Sequence, residues 1–351
     1  MIYLDYQATT PLAPEAFAAM EPWLKNGFAN PHSAHAAGRA AAAAVEVARD
    51  QVAALLPTGG RVIFTSGATE AINLAIMGCV SPVSAAATEH AAVLDCVNAR
   101  HGQIFAVDEK GILSDPLVAN GQDGLLALML VNNEIGTIQP VAECASAVHA
   151  AGGLLLCDAV QAFGRLPIPD GPDMIAISAH KIYGPKGIGA LWVRDGIALN
   201  PQILGGGQEQ GMRSGTLSPA LCAGFGAAAK LAAEQMDADN AHVRGLWDRA
   251  IAAFSGWTIN GSVEDRYKGN LNIRRDGVDA ARLISECRQI AFSAGSACAS
   301  GSGRPSHVLR AIGLDDAQAK SSVRLGFGRY TSALEIDIAA EAINQAAEAM
   351  L

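Results

Sequence analysis

The chain is poor in lysine, in aromatic side chains and in charge. Of its 351 residues only seven are lysine, 5% are aromatic and 17% are charged. Low charge beside 50% hydrophobic residues excludes a disordered chain, which needs the opposite balance. Few aromatics and 37 glycines point to tight turns and close backbone approaches around an aliphatic core. Basic residues are outnumbered, and a formal charge of −9 argues against nucleic acid as a direct partner, because a phosphate backbone demands a basic face. Long apolar runs are missing too. The longest, Leu125 to Val131, is a strand's length and far too short to cross a bilayer, so no membrane contact is expected. The opening residues Met1-Ile-Tyr-Leu-Asp5 show neither a basic segment nor an apolar core, so no secretory signal is expected. Seven cysteines, at 79, 96, 144, 157, 222, 287 and 298, form no CxxC pair and no metal-finger spacing. Most are expected to be small buried hydrophobes in a cytoplasmic protein with reduced thiols.

What is present is an alternation of helix and strand from about residue 39 to 250. Arg39 to Leu56 has helical spacing, and Arg61-Val-Ile-Phe64 is a short strand. Leu125 to Val131, Leu154 to Cys157, Met174 to Ile177 and Ala190 to Val193 are continuous apolar runs, the mark of strands covered on both faces in a mostly parallel sheet. The fold class is α/β with helices on both sides. After a helix over Ser218 to Gln235 the character changes. Strands such as Gly269 to Ile273 and Ser322 to Leu325 then sit among helices such as Ala280 to Cys287 and Ala333 to Ala349. Residues 14–246 are expected to form a large α/β domain, with 1–13 and 247–351 forming a smaller α+β domain. Within the latter, the Ala, Ser and Gly content of Ser293 to Gly303 predicts a mobile loop.

Ligands of open α/β sheets collect beyond the carboxyl ends of the strands. Two such ends close on an acid and a lysine: Asp158-Ala-Val-Gln161 follows Leu154 to Cys157, and Ser178-Ala-His180-Lys181 follows Met174 to Ile177. Those two groups are what a pyridoxal phosphate enzyme needs most. The lysine binds the cofactor aldehyde, and a buried carboxylate keeps the pyridine nitrogen protonated so that the ring accepts electrons. The plain alternative is a lysine snorkelling at a strand end and an aspartate capping a helix. A third end, Thr65-Ser-Gly-Ala-Thr69, resembles a phosphate cup, with glycine for close approach and free amides at a helix start. Ser178 and His180 can add hydrogen bonds to the same phosphate. His90 can stack on the ring and carry a proton, and Asn133 and Gln161 can reach the cofactor's phenolic oxygen.

Five blocks then resemble one family. They are Tyr3-Leu-Asp-Tyr-Gln-Ala-Thr-Thr-Pro11, Thr65 to Glu70, Asn132-Asn-Glu-Ile-Gly136, Ser178 to Lys181, and Gly205-Gly-Gly-Gln-Glu209 with Met212-Arg-Ser-Gly-Thr216. They run in the order found in the cysteine desulfurases, class V aminotransferase-like enzymes of pyridoxal phosphate fold-type I. The resemblance implies a mostly parallel seven-stranded sheet and pyridoxal 5′-phosphate carried by Lys181. It implies Asp158 at the pyridinium, His90 on the ring, and Asn133 and Gln161 beside it. Ala68, Thr69, Ser178 and His180 would hold the phosphate. It also implies a homodimer in which Thr216 crosses to the partner's phosphate.

Fold and cofactor do not fix the reaction. Cys298, in Ser296-Ala-Cys-Ala-Ser300, resembles the cysteine that takes sulfur from substrate, in the long loop form of the housekeeping and nitrogen-fixation group. That implies conversion of L-cysteine to L-alanine with a persulfide on Cys298, handed to a protein acceptor such as an iron-sulfur scaffold. No intrinsic metal is implied, although Cys298 could transiently share a cluster with such a scaffold. Arg324 is the candidate for the substrate carboxylate, which a guanidinium grips in a two-point fork, with Asn133 beside it. Two positions depart from the family: Gln210 where many members have arginine, and Gly326 where many have serine. The rival readings are a selenocysteine or cysteine sulfinate lyase, a true class V aminotransferase, and a non-enzymatic assembly subunit.

Overall fold

Leu125-Leu-Ala-Leu-Met129, with all five residues buried, is an interior strand of a seven-stranded sheet. The computed structural model describes residues 1–113, 124–294 and 306–351. The strand order is Gly60–Thr65, Gly189–Arg194, Met174–Ser178, Leu154–Asp158, Leu125–Met129, Val83–Ala86 and Gln103–Phe105. All neighbours are parallel except the two pairs made by Gly189–Arg194. Gly189 is where that antiparallel strand slips in. A Cβ there would stand 2.6 Å from the Ile177 carbonyl and 2.8 Å from the Gly67 main chain.

Because side chains alternate across a strand, a run that is apolar at every position needs cover on both faces. Leu126, Leu128, Leu155, Cys157, Ile175 and Ile177 enter the core shared with the helix Pro219–Ala253. Leu125, Ala127, Leu156, Met174 and Ala176 face the core built with the helices Ala68–Gly78 and Ala91–Ala99. Each fully buried leucine contributes roughly 1.5–3 kcal/mol. The six cysteines among the described residues are all buried and free.

The C-terminal part carries a four-stranded antiparallel sheet, ordered Ser293–Ala294, Ser322–Gly326, Asn270–Arg274 and Thr258–Ile259. The N-terminal strand Ile2–Tyr3 pairs in parallel with Ile290–Ala291, and Asp5 bridges to Gly326. The N-terminus thus crosses from this smaller sheet toward the large one.

The helix expected over Ser218 to Gln235 runs from Pro219 to Ala253, 35 residues. Its polar middle hides a second buried stripe, Val243, Leu246, Trp247 and Ala250, at helical spacing. That stripe lies on the stretch bound to the C-terminal helix Ala333–Glu348, where Arg249 pairs with Asp337. Residues 246 and 247, where two domains are expected to meet, lie inside this helix.

Candidate active site

The carboxyl ends of five parallel strands empty into one cavity of about 440 Å³. Strand Met174–Ser178 ends in a single 3₁₀ turn, Ala179–Lys181, which turns the Lys181 side chain into that cavity. Lys181 Nζ donates to the carbonyls of Gln7 at 2.5 Å and Ala8 at 2.8 Å. Burial pulls its pKa down to about 7, and the cations Arg165 and Arg324 pull the same way against Asp158 and Asp5. That direction favours the loss of the Lys181 proton near neutrality.

The N-terminal segment braces this turn. The Thr10 hydroxyl donates to the His180 carbonyl at 3.0 Å and accepts from the Tyr183 amide at 2.8 Å. Tyr183 has φ +67°, a left-handed conformation that costs a non-glycine residue about 1–3 kcal/mol and survives only where neighbours over-determine it. His180 Nδ1 meets the Thr9 hydroxyl at 3.1 Å. Burial, then the charge of Lys181, lowers its pKa to about 4, so the ring is neutral.

Asp158 ends its own strand one register away, its main chain tied to the lysine strand through the Ala159 amide and Ala176 carbonyl at 3.0 Å. Burial raises its pKa, while the Val160 amide at 2.9 Å, His90 and Lys181 pull it back. Behind it lies Glu89, whose carboxyl burial and the Asp158 charge push well above the usual range. Glu89 accepts the Met129 amide at 2.7 Å. His90 caps the helix Ala91–Ala99, and its Nδ1 accepts the Ala92 amide at 3.1 Å. A neutral His90 ring therefore carries its proton on Nε2.

The cup follows strand Gly60–Thr65. Gly67 is the N-cap of the helix Ala68–Gly78, so the amides of Ala68 and Thr69 belong to the first turn, which has no intrahelical partner. A Cβ on Gly67 would meet nothing within 4 Å, so the space over the helix start is open. Ser178, His180, Asn133 and Gln161 line the same cavity. Gln161 is already engaged: its Nε2 donates to the Gln7 carbonyl at 2.9 Å and its Oε1 accepts from Arg165 at 3.0 Å.

Arg324 reaches the cavity from the smaller sheet with a side chain 1% exposed. Its Nη1 donates to the Asn133 carbonyl at 2.9 Å, and its Nη2 to Asp5 Oδ1 at 2.7 Å and to Ser293 Oγ at 3.3 Å. Among the described residues its Nε has no partner. Thr216 is exposed and does not line the cavity of its own chain. Cys298 lies outside the described residues.

Sequence reasoning missed Gln7, Ala8, Arg165 and Glu134. Arg165 donates to the Lys181 carbonyl at 2.6 Å. Glu134 accepts from the Ser306 hydroxyl, and burial lifts its pKa to about 7 against that bond, Arg324 and His90. The signal for Gln7 and Glu134 was their place inside two motif blocks, and Arg165 had none.

A lysine with a free amine, a buried carboxylate, an open helix start and a guanidinium meet in one cavity. Residues 2–338 match the family described as aminotransferase class-V. Cysteine desulfurase IscS of Rickettsia bellii (strain OSU 85-389) is 42% identical over 370 residues, 97% of this chain and 90% of the relative. The chain belongs to the cysteine desulfurase family. Among solved structures, the NifS-like protein from Rickettsia africae ESF-5 superposes with a TM-score of 0.92 at 29% identity, over 99% of each chain. SspA in complex with cysteine has a TM-score of 0.83 at 32% identity, over 95% of this chain and 100% of that one. Cysteine desulfurases depend on pyridoxal phosphate, and the donor set here fits it. An amine, a carboxylate, first-turn amides and a guanidinium answer in turn to the aldehyde, ring nitrogen, phosphate and substrate carboxylate.

Proposed function

We propose that the chain binds pyridoxal 5′-phosphate in the 440 Å³ cavity and converts L-cysteine to L-alanine, leaving the sulfur on Cys298 as a persulfide. The observation that carries this reading is Lys181 sharing one cavity with Asp158, the cup and Arg324. The 42% identity to a cysteine desulfurase over nearly the whole chain supports it, as does the likeness to a structure bound to cysteine.

Pyridoxal phosphate, when bound, supplies a ring that accepts the electrons released at the substrate carbon. The rest is work for this chain. Lys181 would hold the cofactor aldehyde and, once freed by the substrate amine, would carry a proton at Cα, roles that need an amine able to lose its proton near neutrality. Asp158 would hold the proton of the ring nitrogen, and His90 would stack on the ring, with its proton on Nε2 when neutral. Ala68, Thr69, Ser178 and His180 would bind the phosphate, and Asn133 and Gln161 would lie beside the phenolic oxygen; all six line the cavity. Arg324 grips the substrate carboxylate. The Cys298 thiolate attacks the substrate sulfur: the S–S bond forms as the C–S bond breaks, and protonation of the freed carbon gives alanine. A protein acceptor such as an iron-sulfur scaffold takes the persulfide sulfur, and the six free cysteines suit a reducing cytoplasm.

Thr216, exposed here, completes the phosphate site of a second copy, which makes the working unit a homodimer. Light scattering of the holoprotein is expected to give a two-chain mass, and a single-chain mass contradicts this. Borohydride trapping of pyridoxal phosphate followed by peptide mapping is expected to mark Lys181. A mark on any other of the seven lysines overturns the cofactor assignment.

A further inference from the structure

Gly326 has no room for a side chain, and the structure shows what fills the space. It follows Arg324 by two residues on the strand Ser322–Gly326, so both positions face one side of the sheet. Its φ is not in the left-handed range, so glycine is not there for its backbone freedom. It is there for room. A Cβ at 326 would stand 1.7 Å from Gln7 Oε1, 2.8 Å from Gln7 Cδ and 2.8 Å from the Tyr6 amide nitrogen. The Gln7 side chain cannot swing clear at no cost. Gln7 is 2% exposed, and its Nε2 donates to the Gly269 carbonyl at 2.8 Å, tying it to the loop before the neighbouring strand.

Gln7 is also the residue on which the site leans. Its main-chain carbonyl receives both Lys181 Nζ at 2.5 Å and Gln161 Nε2 at 2.9 Å. Two residues earlier on the same segment, Asp5 holds Arg324 at 2.7 Å. The Tyr6 amide donates to the Gly326 carbonyl at 3.3 Å and the Gly326 amide donates to the Leu4 carbonyl at 2.8 Å, so the segment lies directly on the strand. Any side chain at 326 lifts it, and the lysine, Gln161 and the arginine pair move with it.

We propose that Gln7 is a positioning residue for Lys181, and that Gly326 is the space that seats it. The inference deepens the proposed function and rests on Lys181 being the reactive lysine of that reading. The exchange is steric: the carboxamide of Gln7 occupies the volume that a side chain at 326 would need.

The test reads Lys181 itself, without cofactor, so its failure is separable from a failure of the cofactor assignment. The cofactor-free chain is labelled with trace acetic anhydride across pH, and acetylation of Lys181 is quantified by mass spectrometry. Wild type is expected to show a midpoint of about 7, set by burial and by Arg165, Arg324, Asp158 and Asp5 around the amine. Gly326→Ala is expected to move that midpoint by about half a unit or more, and to lower kcat/KM for L-cysteine by roughly tenfold or more in the cofactor-loaded enzyme. Gln7→Ser alone is expected to shift it less. The double variant is expected to match Gln7→Ser instead of the sum of the two, because the clash disappears with the carboxamide. An unmoved midpoint in Gly326→Ala, or a double variant equal to the sum, overturns the proposal. Should Gly326→Ala not fold, Gln7→Ser decides alone: a shifted midpoint supports the proposal and an unshifted one overturns it.

Discussion

Arg324 and Asp5 form an ion pair at 2.7 Å in which the arginine is 1% exposed, so the group proposed to grip the substrate carboxylate already holds a carboxylate. With Asn133 on Nη1, and Asp5 and Ser293 on Nη2, Nε and the second N–H of Nη1 are the donors left over. A substrate carboxylate that takes Nε and Nη2 in a two-point fork must share or displace Asp5 there. Asp5 keeps a buried cation neutralised between turnovers, and its charge competes with substrate.

From this relationship, Asp5→Asn is expected to lower KM for L-cysteine several-fold, since it keeps an oxygen acceptor and removes the competing charge. Arg324→Lys keeps a cation but loses the fork, and is expected to raise KM by about 10–100-fold, or about 1.4–2.7 kcal/mol, with a smaller effect on kcat. Steady-state kinetics check both. An unchanged KM in Arg324→Lys contradicts the carboxylate role.

Lys181 makes stability depend on pH in a definite direction. Its pKa is about 7 folded against an ordinary 10.5, so between those values the unfolded chain binds the extra proton. The cost of burying the cation, ~5 kcal/mol at about 1.4 kcal/mol per unit, is present in full below pH 7 and fades as pH rises toward 10.5. In the cofactor-free chain, Lys181→Met is expected to stabilise most at about pH 6.5 and far less at about pH 9.5. Urea unfolding at the two pH values reads the difference. A gain that does not change with pH contradicts the depressed pKa.

The sequence was most legible where one physical rule governed a whole segment. Four continuous apolar runs had to become doubly covered strands, and the carboxyl ends of three of them, with that of the short strand at 61–64, had to gather ligands, which brought Lys181, Asp158, Asn133 and the cup together. The extent of the helix Pro219–Ala253 was not legible, because its second half buries its stripe against a helix some 90 residues later, and its polar face read as a break. Arg165 and Gln7 were hidden for a related reason. Each acts through the main chain of a segment remote in sequence, 16 and 174 residues from Lys181. Gly326 was visible as an oddity, but its cause needed the coordinates of Gln7.

The central claim is that the cavity's chemistry delivers substrate sulfur to Cys298. Release of alanine and sulfide from L-cysteine with a thiol reductant, compared between wild type and Cys298→Ala, tests it most directly. Wild type is expected to release both in equal amounts, and Cys298→Ala to release neither while keeping its bound cofactor. Activity that survives the substitution contradicts the account and favours a lyase that has no need of the cysteine.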